Sequence, residues 1–286
     1  MKVLMVVQHL RQKGERGGQR SREVYEKLIS EGFQVDAIVP NIDPLTSKVA
    51  IDKLISPWRM HRLDSKGNNE FRYFVPPVAR KGIWGRTLYS IFSFINIILF
   101  LSIKRNNYHL ILTTTHPLLM AVASIYGKKI FGSKLVIEVR DIPLYVAIER
   151  KVLSEKSWIT RLYRKIEAYL FSKSDLVLGY SNRMIELLDA AYSLPQSLIL
   201  PIGSDNSLED KEFGFLDTNN NEVKICFFGT LGTVLRLNEA FDLVLYLNKQ
   251  GINSSLDIYG DGERKIELEN LVKQKYKNIY LSLIHI

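Results

Sequence analysis

The 286-residue chain has a single cysteine, Cys226, so no disulfide can form within it. Cys226 falls in the apolar run Ile225-Cys226-Phe227-Phe228, where it reads as a small packed hydrophobe. Cysteine and histidine do not recur at zinc-ligand spacings, and no metal is expected. A recognition-helix pattern is missing too, which leaves nucleic acid unsupported as a partner. The Gly-x-Gly-x-x-Gly fingerprint of dinucleotide folds does not occur, which disfavours a nicotinamide oxidoreductase. The chain opens Met-Lys and runs straight into a strand without a signal-peptide layout, so a cytoplasmic origin is expected.

What is present is the composition of a folded protein. Apolar residues make up 46% and charged residues 24%, and the length suits two domains. The net charge of +9 is uneven: residues 1–205 carry +12 and residues 206–286 carry −3. A basic first part favours anionic lipid or phosphate-bearing substrates.

The pattern of elements is α/β. Residues 2–8 read as a strand, 19–31 as a helix and 34–39 as a second strand, a unit that builds a parallel sheet. Gly17-Gly18 precedes the helix, where glycines let backbone N–H groups approach an anion or a sugar hydroxyl; a plain tight turn is the other reading. Residues 41–82 look irregular apart from a short strand at 71–75. Residues 87–103 carry no charge and are flanked by Arg80, Lys81 and Arg86 before and by Lys104 and Arg105 after. This layout fits a helix lying in a membrane interface, and a core-packed helix is the alternative. At 17 residues it is at the short end for a span.

Strands follow at Leu110–Thr114, 134–139, 175–179 and 198–200, with helices at Leu118–Phe131, 158–171 and 184–191, the last capped by Ser181. His116 and Asp141 each fall just past the carboxyl end of a strand, where open α/β sheets bind ligands. An ion pair or a turn cap is the other reading of Asp141. Residues 206–222 are polar and read as a linker. A second β-loop-α series begins at 223, with glycine loops at Gly229-Thr230-Leu231-Gly232 and Gly260-Asp261-Gly262. Its three strands, in the order 3-2-1, leave residues 223–228 as an exposed edge.

In their order, Gly17-Gly18, residues 113–119, Ile137–Asp141, Pro201–Asp205, Phe228–Gly232 and Tyr259–Glu263 resemble glycosyltransferase family 4, the retaining GT-B enzymes, in its bacterial surface-polysaccharide branch. The resemblance implies an α/β fold of two Rossmann-like domains of the GT-B type. These are an acceptor-side domain at 1–205, the linker at 206–222 and an incomplete donor-binding domain at 223–286. It implies a nucleotide-sugar donor, a UDP-sugar, used as substrate with no cofactor. It also implies a lipid-linked saccharide acceptor, retention of configuration, and a peripheral place on the cytoplasmic face of the membrane, with an anionic membrane surface as partner. Asp141 and His116 become the catalytic residues. Gly229, Thr230, Gly232, Arg236, Gly260 and Gly262 hold the donor, and Gly17 and Gly18 line its diphosphate or the acceptor. The family's second domain is longer and carries a pair of glutamates not found here, so the 286-residue chain is expected to be truncated, poorly soluble and inactive. A catalytically inactive membrane or scaffold protein of the same fold, and a GT-B sugar-nucleotide epimerase, are the alternatives.

Overall fold

The structure is a computed structural model. It describes residues 1–10, 19–41, 58–62, 68–75, 82–104, 107–202, 222–229, 231–232, 237–275 and 279–282. The chain divides into two compact units, Met1–Ser204 and Asp205–Ile286.

The first unit runs β1 (Lys2–Val6), α1 (Gln19–Ser30), β2 (Gln34–Pro40), β3 (Trp58–Arg62), β4 (Asn69–Tyr73), α2 (Gly82–Ile103) and β5 (Leu110–Thr114). It continues α3 (Leu118–Phe131), β6 (Lys134–Glu138), α4 (Pro143–Glu149), α5 (Trp158–Lys173), β7 (Leu176–Gly179), α6 (Asn182–Tyr192) and β8 (Ser197–Ile199). Its sheet has the order β3-β4-β2-β1-β5-β6-β7-β8, parallel throughout except for the antiparallel pair β3–β4.

The strands are apolar on both sides because both sides are covered. In β1, Leu4 and Val6 face a cluster completed by α2, α3, α5 and α6. Val3 and Met5 face the other cluster, built with Tyr25, Val24 and Leu28 of α1. Each such side chain, fully buried, contributes about 1.5–3 kcal/mol. Helix ends follow local chemistry. Ser181 Oγ accepts the Met184 N–H at 3.2 Å and starts α6, as its sequence position predicts. Gly132 ends α3 in the left-handed region at φ 64, where a Cβ would be strained.

Two expectations, those for the stretch 41–82 and for the uncharged run, need correction here. Within 41–82 the described residues hold a strand that was not expected: β3 pairs with β4, and β4 is Asn69–Tyr73 rather than 71–75. The turn after Asp141 leads at once into α4, with Pro143 in its first turn, where a missing N–H costs nothing. The helix that carries the uncharged run starts earlier, at Gly82, and includes Arg86; one face of the run packs in the core while the other is exposed. No described helix is long and apolar enough to cross a membrane.

The second unit runs β9 (Glu222–Phe228), α7 (Leu237–Lys249), β10 (Asn253–Tyr259), α8 (Lys265–Lys275) and β11 (Ile279–Ser282). Among the described residues its parallel sheet has the order β11-β10-β9, which leaves β9 at an edge as expected. Ile225 and Phe227 turn towards a cluster made with Phe241 and Val244 of α7 and Leu268 of α8. Both helices pack on that one face. Cys226 alternates to the opposite face and is exposed, not packed, which corrects the reading of it as a buried hydrophobe.

Candidate functional site

The described part of the site lies at the carboxyl rim of the first unit's sheet. β5 and β6 are neighbours, with Thr114 opposite Glu138. His116 comes two residues beyond the first and Asp141 three beyond the second, so the register brings both to one rim. Both are exposed. His116 sits in the turn that leads into α3, and the Thr114 hydroxyl donates to its carbonyl at 3.3 Å. Between them, Thr115 donates its backbone N–H to the Glu138 carbonyl at 3.1 Å. Its own Oγ1 is buried without a hydrogen-bond partner among the described residues.

Behind Asp141 lies a charge cluster that the sequence did not announce. Glu138, the last residue of β6, has both oxygens occupied. Oε1 accepts from Arg20 Nε at 2.6 Å and from the Tyr180 hydroxyl at 3.4 Å. Oε2 accepts from Arg140 at 2.9 and 3.1 Å. Arg140 also donates to the buried Ser21 hydroxyl at 2.7 Å. Arg20, in the first turn of α1, bonds the carbonyls of Leu200 and Pro201 at 3.0 Å each and lies 4.5 Å from the centre of the Tyr180 ring. Burial and the Glu138 carboxylate push the Tyr180 phenol up to about 12, against the two guanidinium groups.

This cluster fixes the bend that presents Asp141. Arg140 is drawn inward onto Glu138 and Ser21, and the next side chain is left facing water. No single residue here signals the arrangement, because Arg20, Glu138 and Tyr180 are far apart in sequence. The one available hint was a carboxylate ending an otherwise apolar strand, which must find partners to be buried.

A cavity of about 360 Å³ adjoins this rim between α4, α5 and α6. It is lined by Ile142, Leu144, Ile148, Leu188, Tyr192 and Glu167, among others. Burial pushes the Glu167 carboxyl up, although the Tyr192 hydroxyl donates to it.

In the second unit the two glycine loops pack on each other. The Gly229 N–H donates to the Tyr259 carbonyl at 3.0 Å, and the Leu231 N–H to that of Asp261 at 2.9 Å. A Cβ on Gly260 would stand 1.9 Å from the Gly229 carbonyl oxygen, and one on Gly262 would stand 2.5 Å from that of Leu231. These two glycines therefore permit loop-to-loop contact. At Gly232 nothing among the described residues lies within 4 Å of such an atom, which leaves the backbone there open to a ligand. Phe228 and Tyr259, at the ends of β9 and β10, stack 4.9 Å apart and nearly parallel, with Phe228 65% exposed. Gly17, Gly18, Thr230 and Arg236, the other expected site residues, lie outside the described residues, as does nearly all of the expected linker.

No protein-family model and no curated protein matches the chain. Solved structures do. Sucrose-phosphate synthase from Thermosynechococcus elongatus is 15% identical with a TM-score of 0.63, over 98% of this chain and 69% of that one. The catalytic domain of starch synthase IV from Arabidopsis thaliana, bound to ADP and acarbose, is 11% identical with a TM-score of 0.59, over 100% and 74%. Anabaena HepE in complex with UDP-glucose is 14% identical with a TM-score of 0.55, over 99% and 68%. The likeness is one of fold: the chain is an α/β protein of the GT-B type, built from two Rossmann-like units.

Proposed function

We propose that the chain is a glycosyltransferase that moves a sugar from a nucleotide-sugar donor to a lipid-linked saccharide. Retention of configuration, a UDP donor and a place in surface-polysaccharide synthesis at the cytoplasmic face of the membrane belong to the same reading. The observation that carries it is Asp141, an exposed carboxylate held out at the sheet's carboxyl rim by the Arg20–Glu138–Arg140 cluster. The fold adds support, since two proteins that share it are seen with ADP or UDP-glucose.

The chemistry suits this carboxylate. As the nucleotide diphosphate departs, positive charge grows on the sugar ring, and a fixed anion beside it lowers the barrier. Glu138 does not serve this role, since each of its oxygens is already bonded. In the second unit, diphosphate contacts fall to Gly232, because the N–H groups of Gly229 and Leu231 are spent within the loops. Phe228 and Tyr259 offer a flat aromatic surface for the base. A protein of the same fold without turnover is the second reading, and those two spent N–H groups favour it.

The test is UDP-sugar hydrolysis and UDP binding by the full chain and by Asp141→Asn. Hydrolysis should fall about a hundredfold or more while UDP affinity stays within about threefold. Hydrolysis unchanged in the variant removes Asp141 from the chemistry. Absence of UDP binding removes the transferase reading.

A further inference from the structure

The cavity of about 360 Å³ between α4, α5 and α6 plays no role in the proposed transfer. Its walls are mostly apolar: Leu144 and Ile148 come from α4, Leu187 and Leu188 from α6, and Ile142 from the turn before α4. Its size is in the range of pockets that take small organic ligands.

One carboxylate stands in this apolar setting. Glu167, from α5, lines the cavity and is 7% exposed. Its Oε2 accepts the Tyr192 hydroxyl, which fixes the side chain. Its Oε1 accepts no hydrogen bond among the described residues, and it is not one of the polar atoms sealed from solvent. That oxygen therefore opens on the cavity. A carboxylate this buried normally bonds through both oxygens, as Glu138 does. Burial pushes the Glu167 carboxyl up, a cost that a cation in the cavity would offset.

The rest of the lining gives the sign of the ligand. Glu149 and Glu155 also line the cavity, and the cation among the described lining residues, Arg164, is held by Glu155 at 2.8 Å. Glu149 has no ion pair among the described residues. It ends α4, and a cation is preferred at that end of a helix. The lining is thus negative within residues 1–205, which carry +12.

We propose that this cavity binds a small organic cation, with an ammonium group on Glu167 Oε1 and an apolar body against the leucine and isoleucine side chains. An anion would meet three carboxylates, and a wholly apolar molecule would leave Oε1 without a partner. The inference rests on this cavity, not on the transferase reading.

Calorimetric titration of the full chain tests it, with 4-phenylbutylammonium and with 4-phenylbutanol, a neutral molecule with the same body. The parent should bind the ammonium saturably and about tenfold or more tighter than the alcohol, the margin of a hydrogen bond to a charged group. Glu167→Gln keeps an acceptor for Tyr192 and removes the charge. In that variant the two molecules should bind within about threefold of each other, with the circular dichroism spectrum and melting temperature of the parent. Hydrogen exchange on the parent locates the ligand without any variant: protection by the ammonium should fall on α4, α5 and α6. Equal affinity of the parent for the two molecules overturns the proposal, as does protection elsewhere. An undiminished preference for the ammonium in folded Glu167→Gln overturns it too. Absence of saturable ammonium binding leaves the cavity to water and overturns it as well.

Discussion

Arg20 and Glu138 meet at 2.6 Å, although they come from the first turn of α1 and the last position of β6. The pair fastens the helix on one face of the sheet to the strand whose end carries Asp141. Glu138 is nearly fully buried and serves Arg20, Arg140 and Tyr180 at once. Removing it strands two guanidinium groups. Breaking a buried pair from one side costs about 3–5 kcal/mol. Glu138→Ala should lose stability on that scale in urea unfolding. Glu138→Gln, which keeps one hydrogen-bond acceptor, should lose less. Equal stability of Glu138→Ala and the parent would show that the cluster holds nothing together.

The strands of this fold were open to reading because period and chemistry agree in them. Leu110–Thr114 and Leu118–Phe131 have in the structure the bounds their apolar runs suggest. β3 escaped notice: Trp-Arg-Met-His-Arg alternates weakly, and an antiparallel edge strand needs little apolar surface. Asp141 and His116 could be placed because strand ends mark ligand rims. The Glu138 cluster could not, since its partners lie 118 and 42 positions away in sequence. Only the folded register brings them together. Cys226 was misread because an apolar run does not say which of a strand's two faces a helix will cover.

Gly232 and Gly262 should respond differently to the same substitution. At Gly262 an alanine Cβ would stand 2.5 Å from a backbone oxygen, which cannot swing aside as a side chain does. Overpacking of this sort costs about 1–3 kcal/mol. Gly262→Ala should therefore destabilise the chain by about 2 kcal/mol. Gly232→Ala meets nothing within 4 Å among the described residues and should leave stability unchanged. Any loss of UDP affinity in Gly232→Ala then reports the ligand and not the fold. Thermal melts and UDP titrations on both variants separate the two effects.

Acid should loosen the first unit through Asp175. Burial pushes its carboxyl up, but Lys128 at 2.5 Å, the Leu135 N–H at 2.8 Å and Lys134 at 3.1 Å outweigh this and hold it down at about 2. The unfolded chain titrates this group near the ordinary value of about 3.9. Its contribution is thus complete above that value and disappears as pH falls towards 2. Asp175 is part-exposed, and screening keeps the contribution to about 1–2 kcal/mol. Asp175→Asn should be less stable than the parent at pH 6 by that amount. The two should converge near pH 2, as urea unfolding across this range would show. A constant gap at all pH values would mean that packing, not charge, is what Asp175 supplies.

Cys226 gives a direct probe of the edge strand. Among the described residues β9 pairs with β10 on one side only, and Val223, Cys226 and Phe228 are exposed along it. An exposed edge bearing apolar side chains is a template for pairing between chains. The native thiol should react with an aqueous thiol reagent at nearly the rate of an unfolded cysteine. Association of chains through β9 would cover the thiol and slow that reaction as protein concentration rises. Val223→Lys, at an exposed position, puts a charge on the edge and should suppress association while leaving the melting temperature within a few degrees of the parent. Labelling that is slow even at high dilution would place Cys226 under cover within a single chain and remove the edge as the route to association.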